Sequence, residues 1–145
     1  MKVTINEDAA VAETEVVIYC KKEDATIKRI VSAIRLADKR MIGSKDGTMH
    51  KLDFNDILYF ESVNRKTFLY TNNEIYETDM RLYEIEDSLQ SHSFFRASKA
   101  IIINLCRVQS LRPELGSRLV LTMDNGEKVV VSRQYATSIK VALGV

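Results

Sequence analysis

"DILYFESVNRKTFLYT", residues 56–71, holds two runs rich in aromatic and β-branched residues, "DILYFESV" and "TFLYT", divided by the polar residues "NRK". Such runs suit a pleated, half-buried surface. A third run, "EIYET", follows after Asn72 and Asn73, and asparagine tolerates the positive φ of a tight turn. Three antiparallel strands in a meander are the simplest reading of residues 56–78.

Working outward, "RMIGS" and "TMHKLD" flank Lys45, Asp46 and Gly47, and Asp-Gly between β-rich runs is a hairpin signal. Downstream, "AIIIN", "RVQSLRP", "SRLVLTM" and "EKVVVS" read as strands, with Asp124, Asn125 and Gly126 closing a hairpin between the last two. Two stretches change period. Leu82, Ile85 and Leu89 recur at helical spacing, as do Tyr135, Ile139 and Leu143, with Ser132 as N-cap and Gly144 as stop. Residues 40–145 are therefore expected to be mainly β, in short antiparallel sheets with two small helices.

Residues 1–39 have a different texture. "EVVIYC" at 15–20 reads as a strand, and residues 24–38 as a helix capped by Asp24, with Ile27, Ile30, Val31 and Ile34 on one stripe. Seven cations balance seven acids in this stretch, so it is expected to be a strand and helix appendage used for packing or pairing. The stripe fits a homodimer contact and equally fits packing against Val16 and Ile18.

At 145 residues the chain can bury a core without disulfides or metals. No apolar run approaches the ~20 residues a membrane span needs, and the polar start does not resemble a secretory signal, so membrane insertion is not expected and a cytoplasmic location is the default. Cys20 and Cys106 lie in apolar stretches without CxxC spacing and are expected to be buried, reduced thiols. The net charge of +1 is far from a basic balance, but charge is segregated. Six acids face one cation from Glu74 to Asp87, and five cations face one acid from Arg96 to Arg118, which allows a basic face on a near-neutral molecule.

Enzyme chemistry finds no foothold. The five glycines are dispersed, so no phosphate loop is present, and His50 and His92 are isolated, without metal-ligand spacing, and are expected on the surface or in loops. No cofactor or small-molecule substrate is inferred. The acids near residues 84–87 suit a solvated helix face. The cations are more informative because they fall at element ends: Asn64, Arg65 and Lys66 in a turn, Arg96 to Lys99 before a strand, and Arg133 in the first turn of the last helix. A cation at a helix N-terminus opposes the helix dipole, and a bound phosphate would offset that. A salt bridge or plain solvation explains Arg133 as well as phosphate does. An exposed polar turn likewise explains Asn64 to Lys66.

The segments "DILYFESVNRKTFLYT", "YETDMRLYEIEDSL", "FFRASKAIIINLCRVQSL", "LTMDNGEKVVVSRQY" and "IKVALG", in this order and spacing, resemble the LytTR family of DNA-binding domains of bacterial transcription regulators. The resemblance spans about 105 residues, from about residue 40 to residue 144. It implies an elongated fold of short antiparallel sheets that binds double-stranded promoter DNA through loops entering the major groove, with no recognition helix. Carried over by motif, it implies DNA contacts by Asn64, Arg65, Lys66 and Thr67, by Arg96, Ser98 and Lys99, and by Arg133 with Gln134. In "FFRASKAIIINL" the apolar flanks are then expected to anchor a loop that holds Arg96, Ser98 and Lys99 outward.

The sequence departs from familiar members of that family in two respects. Some carry His where Thr67 stands, and His followed by Arg or Asn where Ser98 and Lys99 stand, so base preference does not transfer. Thirty-nine residues are too few for the receiver domain that many members carry, which puts phosphorylation-gated control on this chain in doubt. The expectation is a sequence-specific regulator, acting as a homodimer. The alternative is a protein-interaction module or anti-regulator on the same fold that does not bind DNA.

Overall fold

The computed structural model describes residues 1–37, 39–89 and 93–145, with all their side chains except those of Ser32 and Leu36. His92 lies outside the described residues. Within them the elements run α1 (Ala25–Ala37), β1 (Arg40–Lys45), β2 (Thr48–Asp53), β3 (Tyr59–Val63), β4 (Lys66–Tyr70), β5 (Ile75–Thr78), α2 (Leu82–Ser88), β6 (Phe94–Ser98), β7 (Ile101–Asn104), β8 (Val108–Glu114), β9 (Arg118–Met123), β10 (Lys128–Val131) and α3 (Arg133–Leu143). Single 3-10 turns sit at Phe54–Asp56 and Leu105–Arg107. The strands form a seven-stranded antiparallel sheet, β2-β1-β5-β4-β3-β7-β6, and a three-stranded one, β10-β9-β8. The fold is mainly β, as expected.

Local sequence sets the hairpins. Asp46 and Gly47 take φ of 50° and 77°, the paired positive values of a two-residue turn whose twist matches its strands, and fix the register Lys45↔Thr48. The meander of residues 56–78 forms as β3, β4 and β5, with Val63↔Lys66 and Tyr70↔Ile75 closing its two turns. Beyond the meander the pairing is long-range: β5 meets β1 at Glu77↔Ser44, and β3 meets β7 at Phe60↔Ile102. Gly43 permits the first of these approaches, since a Cβ there would stand 2.7 Å from Cβ of Tyr76.

Strand alternation gives the larger sheet a core on each face. Phe60, Leu69, Phe94 and Ile102 pack with Leu82, Ile85 and Leu89 from α2 and its C-cap. On the opposite face Tyr59, Ala97 and Ile103 meet Leu119, Leu121, Met123, Val129 and Val131 of the smaller sheet, and Ala136 and Ile139 of α3. Each fully buried aliphatic or Phe side chain contributes roughly 1.5–3 kcal/mol, so these layers fix how the sheets and helices sit on one another. Arg107 adds a polar tie: its Nε donates to the Asn55 carbonyl at 2.6 Å, and its guanidinium lies 3.6 Å from both Asp56 and Asp124.

Tyr59 and Tyr70 stack across β3 and β4 with ring centroids 4.2 Å apart. Tyr59 donates its hydroxyl to Glu127, in the connection between β9 and β10 of the smaller sheet, and Tyr70 donates to Glu61 at 2.8 Å. Burial, then these carboxylates, hold both phenols neutral: Tyr70 is pushed up to about 12, and Tyr59 moves in the same direction. The native state thus keeps protons that an unfolded chain releases near pH 10. Stability should be intact below pH 10 and fall as pH rises from 10 towards 12. Phenolate absorbance in an alkaline titration checks this. Release of both protons at pH 10 with the fold intact would contradict it.

Two expectations about burial and pairing need correction, the strand at 15–20 and the buried cysteines. "EVVIYC" forms no strand: Val16 and Val17 are each 58% exposed, and the run pairs with no sheet. A β-prone run becomes a strand only where a ladder partner and a face to bury are supplied. Helix α1 does form, with the Ile27 N–H donating to Asp24 Oδ1 at 2.9 Å, but its stripe is only half-buried and Ile34 is 38% exposed. Both cysteines are exposed, not buried. Cys20 belongs to the unpaired run. At the 3-10 turn Asn104 and Leu105 take the interior positions, leaving Cys106 to contact Ser93 from outside. His50 sits half-buried on β2, edge-on to Tyr76. Among the described residues no helix is long and apolar enough to cross a membrane.

Candidate nucleic-acid interface

The sheet gathers the three polar clusters at one end. The β3–β4 turn and the β6–β7 turn lie at the same end of the larger sheet, because β3 pairs with β7 through Glu61↔Ile101 and the Ser62 N–H donates to the Ala100 carbonyl at 2.8 Å. The first turn of α3 is brought to the same place by Ser132. Its N–H donates to the Ala97 carbonyl at 2.8 Å, and its hydroxyl donates to the same oxygen at 3.4 Å. A register shift between Arg96 and Ser98 makes Ala97 a bulge, which turns the end of β6 towards α3. Residues more than 30 positions apart in sequence therefore meet around the end of β6.

Asn64, Arg65, Lys66, Lys99, Arg133 and Gln134 are exposed, and Ser98 is half-buried with its hydroxyl accepting from the Ala100 N–H at 3.2 Å. Among the described residues, Arg65, Lys66, Lys99 and Arg133 make no ion pair. That leaves Arg133 solvated at the start of α3, where its charge opposes the helix dipole. Asn64 and Arg65 both take positive φ, 50° and 66°. This conformation costs a non-glycine residue roughly 1–2 kcal/mol, least for Asn, so the turn places Arg65 at its tip against local preference.

Two residues differ from expectation. Thr67 is only 3% exposed, since β4 turns it inward at the start of the ladder. Arg96 is not held outward: its side chain is 16% exposed, its Nε bonds Glu86 Oε2 at 3.0 Å, and its Nη1 donates to the Lys99 carbonyl at 2.7 Å. Alternation explains this, because Phe94 and Arg96 point to the face that α2 covers, where Glu86 of that helix pairs with Arg96.

Arg81 is a member of the site that the sequence reading passed over. Its Nη1 donates to the Arg65 carbonyl at 2.7 Å, which fastens the strained turn, and its side chain lines an open depression with those of Arg96 and Lys99. In sequence it looks like one cation in an acidic run. Only the folding of α2 against the sheet gives it neighbours.

The fold and site together define a class: a β-sheet module that presents its cations on turns and a helix start. No helix-turn-helix unit occurs among the described residues, where strands separate every pair of successive helices. Residues 47–144 match the LytTr DNA-binding domain family, and the chain belongs to it. It is similar to an uncharacterised HTH-type transcriptional regulator of Staphylococcus aureus strain NCTC 8325 / PS 47, at 27% identity over all of this chain and 99% of the relative. A counterpart named in the same way in strain MRSA252 is 26% identical over the same shares. Among solved structures, the LytTr DNA-binding domain of a Bacillus cereus protein described as a methyl-accepting/DNA response regulator superposes with a TM-score of 0.70 at 27% identity, covering 74% of this chain and 99% of that one.

Proposed function

We propose that the chain is a sequence-specific transcription regulator that reads duplex DNA through loops in the major groove, its base and backbone contacts drawn from Asn64, Arg65, Lys66, Arg96, Ser98, Lys99, Arg133 and Gln134. The observation that carries this is the meeting of three polar segments, remote in sequence, around the end of β6. The family match and the names of the full-length relatives support DNA as the partner. Backbone contacts position such a protein and base-edge contacts specify the sequence. The forked guanidinium of Arg133 suits guanine O6 and N7, and Lys66 and Lys99 suit phosphates as point charges. Thr67, buried, belongs to the floor of the site and is not assigned a base contact.

Selection of bound duplexes from a random pool, followed by footprinting, tests the reading. Arg133→Ala should weaken the selected site about 5- to 100-fold and random duplex little. Lys66→Ala should weaken both and lower the salt slope by about one. Finding no bound duplex would favour the interaction-module reading, which the near-neutral charge and the acidic run at 74–87 otherwise support.

On this reading the regulator acts as a homodimer through residues 1–39, where Val16, Val17 and Ile34 leave apolar surface open. Sedimentation at micromolar concentration should show a dimer. Monomer alone, both free and on DNA, would exclude it.

A further inference from the structure

Between the β3–β4 turn and α2 lies the open depression, about 410 Å3 in volume, walled by Ser62, Thr67, Arg81, Tyr83, Arg96 and Lys99. That is many times the ~30 Å3 share of one water molecule, so a tetrahedral anion fits with its hydration. The wall's charge is of one sign: three cations and two aliphatic hydroxyls stand beside Leu82 and Tyr83, with no carboxylate among the lining residues. Among the described residues, the Thr67 hydroxyl has no hydrogen-bond partner although the residue is 97% buried. With no protein partner, that hydroxyl is free to donate to whatever enters the depression, water or anion.

The cations retain capacity. Arg81 uses one N–H on the Arg65 carbonyl, and Arg96 uses two groups, on Glu86 and on the Lys99 carbonyl, out of the five donors each guanidinium has. The Lys99 ammonium makes no ion pair among the described residues. A site made of donors fits a ligand made of acceptors. Glu86, outside the wall and 45% exposed at its side chain, already supplies such an acceptor to Arg96.

We propose that this depression seats one phosphate of the duplex backbone, and that Glu86 is a resident competitor which holds Arg96 until that phosphate arrives. The inference rests on the DNA-binding reading and adds to it Ser62, Thr67 and Arg81 as phosphate ligands and Glu86 as an opposing charge. Because Arg81 also fastens the Arg65 turn, the decisive variants are Glu86→Gln and Thr67→Val.

Binding of the full chain to a selected and a random duplex is measured across a salt series. Glu86→Gln should bind both about 3- to 10-fold tighter at low salt, with a salt slope steeper by up to ~0.9. Thr67→Val should bind both about 2- to 10-fold more weakly with the slope unchanged. Unchanged or weaker binding by Glu86→Gln would overturn the proposal, as would unchanged binding by Thr67→Val. Inorganic phosphate, titrated at constant ionic strength, separates the sources. Competition with duplex that strengthens in Glu86→Gln supports a backbone seat. Saturable phosphate binding that leaves duplex affinity untouched marks a small-anion site and overturns it. Should the wild type bind no duplex, both readings fall; should it bind while Glu86→Gln changes nothing, this one falls alone.

Discussion

Phe60→Ala is expected to lower the free energy of unfolding by about 3–5 kcal/mol, the cost of truncating an enclosed aromatic side chain. Phe60 is fully buried on β3, with its ring 5.7 Å from that of Phe94, which in turn meets Phe54 edge-on. The site cannot collapse easily. β3 is held by ladders to β4 on one side and β7 on the other, so the backbone is not free to move into the cavity. α2 lies over the same face through Leu82, Ile85 and Leu89. Urea denaturation measures the change, with the slope m unchanged if the transition remains two-state. A loss below ~1 kcal/mol would mean that α2 settles onto the truncated position, and that it is less firmly placed than its buried leucines imply.

The same residues show how much of the fold was legible. Asp46-Gly47, the meander around "NRK" and the helical spacing of Leu82, Ile85 and Leu89 are local signals, each carried by turn chemistry or side-chain period, and each forms where the sequence puts it. The sheet order is not local. Nothing within "AIIIN" says that it lies beside "YFESV", because that pairing is decided by which faces are left to bury once the hairpins exist. "EVVIYC" shows the converse failure: strand composition without a partner yields no strand.

The site was legible as residue types and misleading as directions. Cations at element ends were visible in the sequence, and the fold draws them together. Whether each projects or folds back depends on strand parity and on which charge lies opposite. Arg96 shares the parity of Phe94 and so finds Glu86, whereas Lys99, beyond the end of the strand, stays in solvent. Arg81 escaped notice because its neighbours in sequence are acids and its neighbours in space are a strained turn and two cations. The positive φ at Arg65 had only Asn64 to announce it.

Replacing Arg96, Lys99 and Arg133 together by alanine should reduce affinity for a selected duplex by about 10²- to 10⁴-fold while leaving the chain folded. The fold should survive because none of the three belongs to a core cluster. The effect should exceed a simple charge effect, which a second triple variant isolates. Lys51, Lys128 and Lys140 are equally cationic and exposed, but they lie on edge strand β2, at the far end of β10 from Ser132, and in the last turn of α3. Alanine at those three lowers the net charge by the same amount without touching the end of β6. If position matters, this control should lose only a few-fold and keep its preference for the selected sequence, while the first variant loses preference and affinity together. Equal losses in the two variants would reduce the interface to diffuse electrostatics, and no loss in either would remove it from this end of the sheet.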